Sequence, residues 1–266
     1  MTKIIFTITS FLICVFSVAQ VIENRDVTDF NKLQVSNAID VSYKVSNTKS
    51  IKVETDDKEN LKYVKTEVEN GTLKLYVDTK DYKNEGKSKR RSKGKNVSWV
   101  NGVEFLLLKI TVSGPNLEAI KASSSADVTI ENTNASTSLD VTVSSSGSVS
   151  GNFKATDVTI DASSSGDFSG NVTATSIEIK SSSSSDVNLS GKATTISAKA
   201  SSSSKCNLKE FTVENAILKA SSSAAIVLKV TKSIEAKASS SASINYYGNP
   251  SEVKKEESSS GAVRGK

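Results

Sequence analysis

Histidine is absent from the sequence, and that single absence removes Ser-His-Asp triads, Cys-His dyads, imidazole zinc sites and histidine general bases together. Carboxylate chemistry, a Ser-Lys pair and oxygen-ligated calcium are what remain. Cysteine occurs only at Cys14 and Cys206. Because Cys14 lies in an amino-terminal leader, the mature chain has one thiol and no intrachain disulfide. Its stability must come from a packed core. Proline occurs twice and aromatic residues make up 6% of the chain, so the apolar content rests on Val, Ile, Leu and Ala. That composition suits strands.

Beyond the leader there is no long apolar run. MTKIIFTITSFLICVFSVAQ has Lys3 as its positive start, a mainly apolar stretch from Ile4 to Phe16, and Ser17-Val18-Ala19 as a small-x-small cleavage site. Residues 1–19 therefore read as a secretory signal peptide. The run is shorter than the roughly 20 residues a spanning helix needs. Ile13, before Cys14, is too large for lipoprotein processing. The expectation is a protein secreted via this signal peptide to the periplasm, the cell surface or the extracellular space, with no transmembrane segment in the mature chain.

What the chain has in abundance is serine, in blocks such as KASSSADVTI at 121–130. Such composition favours a disordered linker, but the spacing does not. Eight blocks begin at Ser123, Ser144, Ser163, Ser182, Ser201, Ser221, Ser239 and Ser258, spaced 18 to 21 residues apart. A near-fixed period of this size marks a solenoid. The positions five and three before each block and five after it are mostly apolar, as in Ile177, Ile179 and Val187 around Ser182. Apolar residues at odd offsets mean a period of two, hence strands with one face buried.

A period near nineteen is too short for a strand-helix repeat and fits one turn of a parallel β-helix. If parity holds through the serine corner, the middle serine (Ser124 in the first block) points inward. The small residue after the block does the same, Ala126, Gly147 or Ser185 for example. Ser123 and Ser125 would then face solvent. Inward hydroxyls need partners, and stacked serines or backbone carbonyls are at hand. In the last coil Lys255 and Glu257 stand where earlier coils are mostly apolar, which reads as an end cap against edge pairing.

Residues 20–115 form a β-rich amino-terminal part, continuous with the repeat coils of 116–266. KLQVSNAIDVSYKV reads as a further coil; 51–55, 62–68, 72–78 and 103–112 read as strands, with Asn70-Gly71 as a hairpin turn. Residues 80–95, KDYKNEGKSKRRSKGK, interrupt the pattern with eight Lys or Arg against Asp81 and Glu85. Such a run reads first as a solvated loop. As a binding element, Arg90, Arg91 and Lys93 would hold phosphate or acidic sugars, with Trp99 as a stacking surface.

VSNAIDVSYKV, NGTLKLYV, GPNLEAIKASSSADVTI, the repeated coils and the terminal INYYGNPSEVKKEESSSG, in this order, resemble the bacterial putative auto-transporter adhesin, head GIN domain family. The resemblance covers essentially the whole mature chain. It implies a secreted protein of Bacteroidetes-type bacteria with a right-handed parallel β-helix. The family's corners tend to read Ser-Gly-Ser-Gly-Asp, whereas here serine stands at the first glycine position of every coil in the carboxy-terminal half.

The most suggestive surface column lies two residues before each block. It reads Lys121, Thr142, Asp161, Lys180, Lys199, Lys219, Lys237 and Glu256. Like charges about 5 Å apart repel by roughly 0.8 kcal/mol in water, so a stacked lysine run calls for an anion or for flanking carboxylates such as Glu178 and Glu235. Lys121, Lys180, Lys199, Lys219 and Lys237, with serines such as Ser123 and Ser125, are therefore candidates for binding an anionic polysaccharide, lipopolysaccharide or lipid headgroup; the bland alternative is a solubilising face.

Asp127, Asp167 and Asp186 share a corner column interrupted by Ser148 and Lys205, which is thin for calcium. Ser202-Ser203-Ser204-Lys205 matches Ser-x-x-Lys, a chance match in so serine- and lysine-rich a chain. The sequence thus reads as a non-enzymatic, adhesin-like binding or structural protein of the bacterial envelope, needing no cofactor or metal and binding no nucleic acid. A β-helical polysaccharide-degrading enzyme and an ice-binding solenoid are the alternatives.

Overall fold

The computed structural model describes residues 20–82 and 98–266; the expected signal peptide and Arg90, Arg91 and Lys93 lie outside the described residues. The chain is a β-solenoid of about eight turns with roughly 19 residues per turn. Successive coils pair in parallel with like residues in register: Phe168 lies beside Val187, and Ile179 beside Ala198. The inward columns read from the sequence form the core, and Val128, Val149, Phe168, Val187, Cys206, Ile226, Ile244 and Val263 are all buried. Glu118, Val253 and Lys255 leave the columns and are exposed.

Parity fails at the corner apex. Ser124 does not point inward; it is exposed, as is Ser125, while Ser123 is half-buried. The cause is the backbone. The second and third serines of every block have positive φ, for example 51° at Ser202 and 61° at Ser203. The residue after the block closes the turn by donating to the first serine, as Gly166 N–H does to the Ser163 carbonyl at 2.9 Å. Two left-handed residues in succession make a turn of type I′ character, which swings the middle side chain out. Left-handed backbone costs a non-glycine residue about 1–2 kcal/mol, so surrounding structure must hold it. Here a second ladder does so: the third-serine N–H donates forward to the middle-serine carbonyl of the next coil, Ser165 to Ser183 and Ser184 to Ser202, both at 3.0 Å.

The small residue after the block does face inward. A Cβ on Gly166 would lie 2.6 Å from the Val143 carbonyl carbon, so adjacent walls nearly touch there. Where serine takes the place, its hydroxyl is satisfied: Ser185 Oγ donates to the Ala162 carbonyl and Ser204 Oγ to that of Ser181, each at 2.9 Å. Ser181 Oγ lies 2.9 Å from Ser185 Oγ and, since the Ser185 proton is already used, must be the donor of that pair.

The amino-terminal part joins the same stack. Lys32–Val35 and Asp40–Val45 pair in parallel with Ala119–Ala122 and Asp127–Ile130. Asn37 and Ala38 repeat the left-handed corner between them. On the other side Thr72–Val77 and Leu108–Gly114 add one more parallel layer. Antiparallel strands then cover its edges: Val64–Glu69 across the Asn70-Gly71 hairpin, and Ser50–Thr55 followed by Val21–Arg25. The expected strand at 103–112 is two, Val103–Phe105 and Leu108–Gly114, and a 3-10 turn at Lys58–Tyr63 precedes the hairpin. Arg25 pins that turn by donating to the carbonyls of Leu61 at 3.0 Å and Val64 at 2.6 Å.

At the far end Lys255 and Glu257, which the sequence reads as an end cap, reach the backbone of Val263. Glu257 Oε1 accepts the Val263 N–H at 2.5 Å, and Lys255 Nζ approaches the Val263 carbonyl at 3.4 Å and sits 5.1 Å from the centre of the Tyr246 ring. In a strand the N–H and C=O of one residue point the same way, here toward where a further coil would dock. Two charged side chains occupy both groups.

Candidate functional site

The lysine column forms because the position two before each serine block points outward on a strand whose neighbours are in exact-residue register with it. Lys180, Lys199, Lys219 and Lys237 are consecutive rungs of one parallel ladder. Asp161 precedes them and Glu256 follows. Beside them run the first serines of the blocks, and together Lys180, Lys199, Lys219, Lys237, Ser182, Ser201, Ser221 and Ser239 line a shallow groove of about 390 Å³. The half-buried first serines thus turn one edge toward the lysines, while the exposed second and third serines crown the corner.

The two ends of the run are neutralised and the middle is not. Lys180 pairs with Glu178 at 3.1 Å, and Lys237 with Glu256 of the next coil at 2.9 Å. That lysine, with further help from nearby Lys254 and Lys219, holds the Glu256 carboxyl below the usual carboxylate range. Glu235, which the sequence offered as a partner for the run, instead reaches Lys254 at 3.6 Å. Lys199 and Lys219 form no ion pair among the described residues. In their coils the adjacent outward column carries Ser197 and Ile217, where the flanking coils carry Glu178 and Glu235. Two ammonium groups outside any direct ion pair, one coil apart and bordered by hydroxyls, with Glu256 near Lys219 alone, can take up an anion.

The model for the family described as "Putative auto-transporter adhesin, head GIN domain" matches residues 29–250. The chain belongs to that family. Three crystal structures share the fold seen here. One is described as "Putative lipid binding protein from Parabacteroides distasonis ATCC 8503", with TM-score 0.80 and 20% identity, covering 93% of this chain and 96% of that one. A putative adhesin from Parabacteroides merdae ATCC 43184 gives 0.78 at 16% identity, over 93% and 96% of the two chains. A second putative adhesin from P. distasonis gives 0.74 at 18% identity, over 93% and 97%. None of the curated proteins matches.

The other sequence candidates fall apart from the groove. Lys121 is on the same column, but Thr142 and Asp161 separate it from the four-lysine run. Ser123 and Ser125 belong to the first corner, outside the groove. Trp99 sits in a short hairpin opposite Glu104 and is 44% exposed. On the far side of the corner, Asp40 joins Asp127, and Asp167 lies beside Asp186. Burial first, and then the neighbouring Asp127 or Asp186 charge, pushes the carboxyls of Asp40 and Asp167 up. Among the described residues no group of three or more acidic or cysteine side chains converges as a metal site. Sequence reasoning missed Asp40, whose signal was its place four residues after Ser36, as Asp127 stands four after Ser123.

Proposed function

We propose that this head GIN domain protein is a non-enzymatic, adhesin-like recognition module of the bacterial envelope that holds an anionic ligand in the lysine and serine groove. The observation that carries the reading is the pair Lys199 and Lys219, without an ion-pair partner among the described residues, at the centre of four in-register lysines. Stacking them costs roughly 0.8 kcal/mol per neighbouring pair in water, and the attraction of a bound anion to both offsets that repulsion. The leader at 1–19 supports delivery out of the cytoplasm. A related structure described as lipid binding and two described as adhesins support recognition over catalysis. An acidic glycan and an anionic headgroup share the required chemistry. The test is binding to acidic polysaccharides and to anionic vesicles across a salt titration, with wild type and with Lys180, Lys199, Lys219 and Lys237 all changed to Gln. Binding should weaken steeply with salt and be lost in the variant; salt-insensitive binding, or binding that survives the four changes, refutes the proposal.

A further inference from the structure

We infer that the ligand of this groove is a linear acidic polysaccharide lying along the rod axis, across the strands, and not a lipid headgroup; the inference rests on the anion-binding reading above. The first argument is length. The groove runs over four coils, from Lys180 and Ser182 to Lys237 and Ser239, which at about 4.8 Å per coil is roughly 14 Å, or about three sugar rings of an extended chain. A phosphate headgroup on Lys199 and Lys219 leaves the outer hydroxyls of Ser182 and Ser239 idle.

The second argument is the alternation of chemistry. Each rung supplies one ammonium and one serine hydroxyl, at nearly the advance of one sugar in a polysaccharide. A chain with an acidic group and hydroxyls at regular intervals meets a donor at every step. Carboxylate or sulfate would sit at Lys199 and Lys219, which form no ion pair among the described residues, and sugar hydroxyls would meet Ser201 and Ser221.

The third argument is what the face lacks. An acyl chain needs a deep apolar seat, whereas this groove is shallow and its apolar lining is lysine stems with Ala200 and Ala220; among the described residues the one large exposed hydrophobic side chain on the outward face of these four coils is Ile217 at 52%, set between Ser197 and Glu235. A single branched side chain is ordinary surface. The ends of the groove are acidic, with Asp161 before it and Glu256 after it, so the cationic track is of finite length.

The test uses the full mature chain and oligogalacturonates of one to eight units, a matched series of sulfated heparin-type oligosaccharides, and phosphatidylglycerol vesicles as the lipid arm. Affinity for at least one oligosaccharide series should rise with length and level off after about three or four units, as the rungs are used up. Lys199→Gln with Lys219→Gln should weaken it about tenfold, as two exposed charge contacts allow, and Lys121→Gln should leave it unchanged. Both variants should keep the wild-type circular dichroism, and the double variant should melt no lower than wild type, because it loses lysine–lysine repulsion. Monosaccharides binding as well as octamers, or vesicles binding while neither oligosaccharide series does, overturns the polysaccharide assignment and leaves the anion groove standing. Failure of every anionic probe overturns both.

Discussion

Changing the middle serine of four consecutive corners, Ser183, Ser202, Ser222 and Ser240, to glycine is expected to stabilise the protein. Their φ values are 53°, 51°, 50° and 50°, and their hydroxyls make no hydrogen bond among the described residues, so the substitution takes away no contact. Relief of left-handed backbone is worth about 1–2 kcal/mol at each site. Against it stands the greater freedom of glycine in the unfolded chain, about 0.5–1 kcal/mol. The net is about 0.5–1 kcal/mol per corner, or on the order of 2–4 kcal/mol for all four, with some departure from additivity because adjacent corners are bonded to each other. For a chain of this size that is a rise in melting midpoint of about 5–15 °C, read by far-ultraviolet circular dichroism. Ser202→Val, which puts a β-branched side chain on the same left-handed backbone, should lower the midpoint instead. If the glycine variant melts below wild type, the serine side chains stabilise the corner by a route other than backbone conformation and the reasoning fails.

Asp167→Asn should raise the melting midpoint near about pH 7 and leave it unchanged near about pH 3. A carboxyl whose folded pKa is raised, as burial and Asp186 raise that of Asp167, favours folding while protonated, and that contribution disappears as pH climbs through the folded value; equal shifts at both pH values would refute this. Opening the end cap by Lys255→Val with Glu257→Val frees the N–H and C=O of Val263 and should cause concentration-dependent association in light scattering. A strictly monodisperse double variant would show that the cap is not what keeps the edge closed. The Cys206 thiol, buried and pushed up to about 12 by that burial, should react with a thiol reagent only in denaturant; rapid labelling of the native protein would contradict the packing described.

The fold was legible because the solenoid states each inward position eight times over. A single Ile179 or Val187 says little, but a column of them at odd offsets leaves one periodicity standing. The corner was not legible from parity alone, since parity assumes extended backbone and Ser202 and Ser203 are left-handed. Serine gives no warning of that conformation, as Asn-Gly does at 70–71. The lysine run was legible as a column, yet its electrostatics depended on which carboxylate each lysine meets. Lys237 finds Glu256 across a coil boundary and Glu235 turns to Lys254. Both pairs join register partners on adjacent coils, so the repeat period encodes them; what it leaves open is whether a carboxylate turns to its own coil, as Glu178 does to Lys180, or to the next.

The corner ladder runs through backbone groups alone, third-serine N–H to middle-serine carbonyl, and this divides labour within each turn. Docking of one coil on the next is carried by main chain and inward side chains, so the outward positions are free to vary without altering how coils join. A whole turn can then be duplicated, deleted or exchanged as a unit, and what changes is the length and order of the charges displayed. The molecule behaves as a graduated scale whose markings, Asp161 and Glu256 among them, can be rewritten one coil at a time.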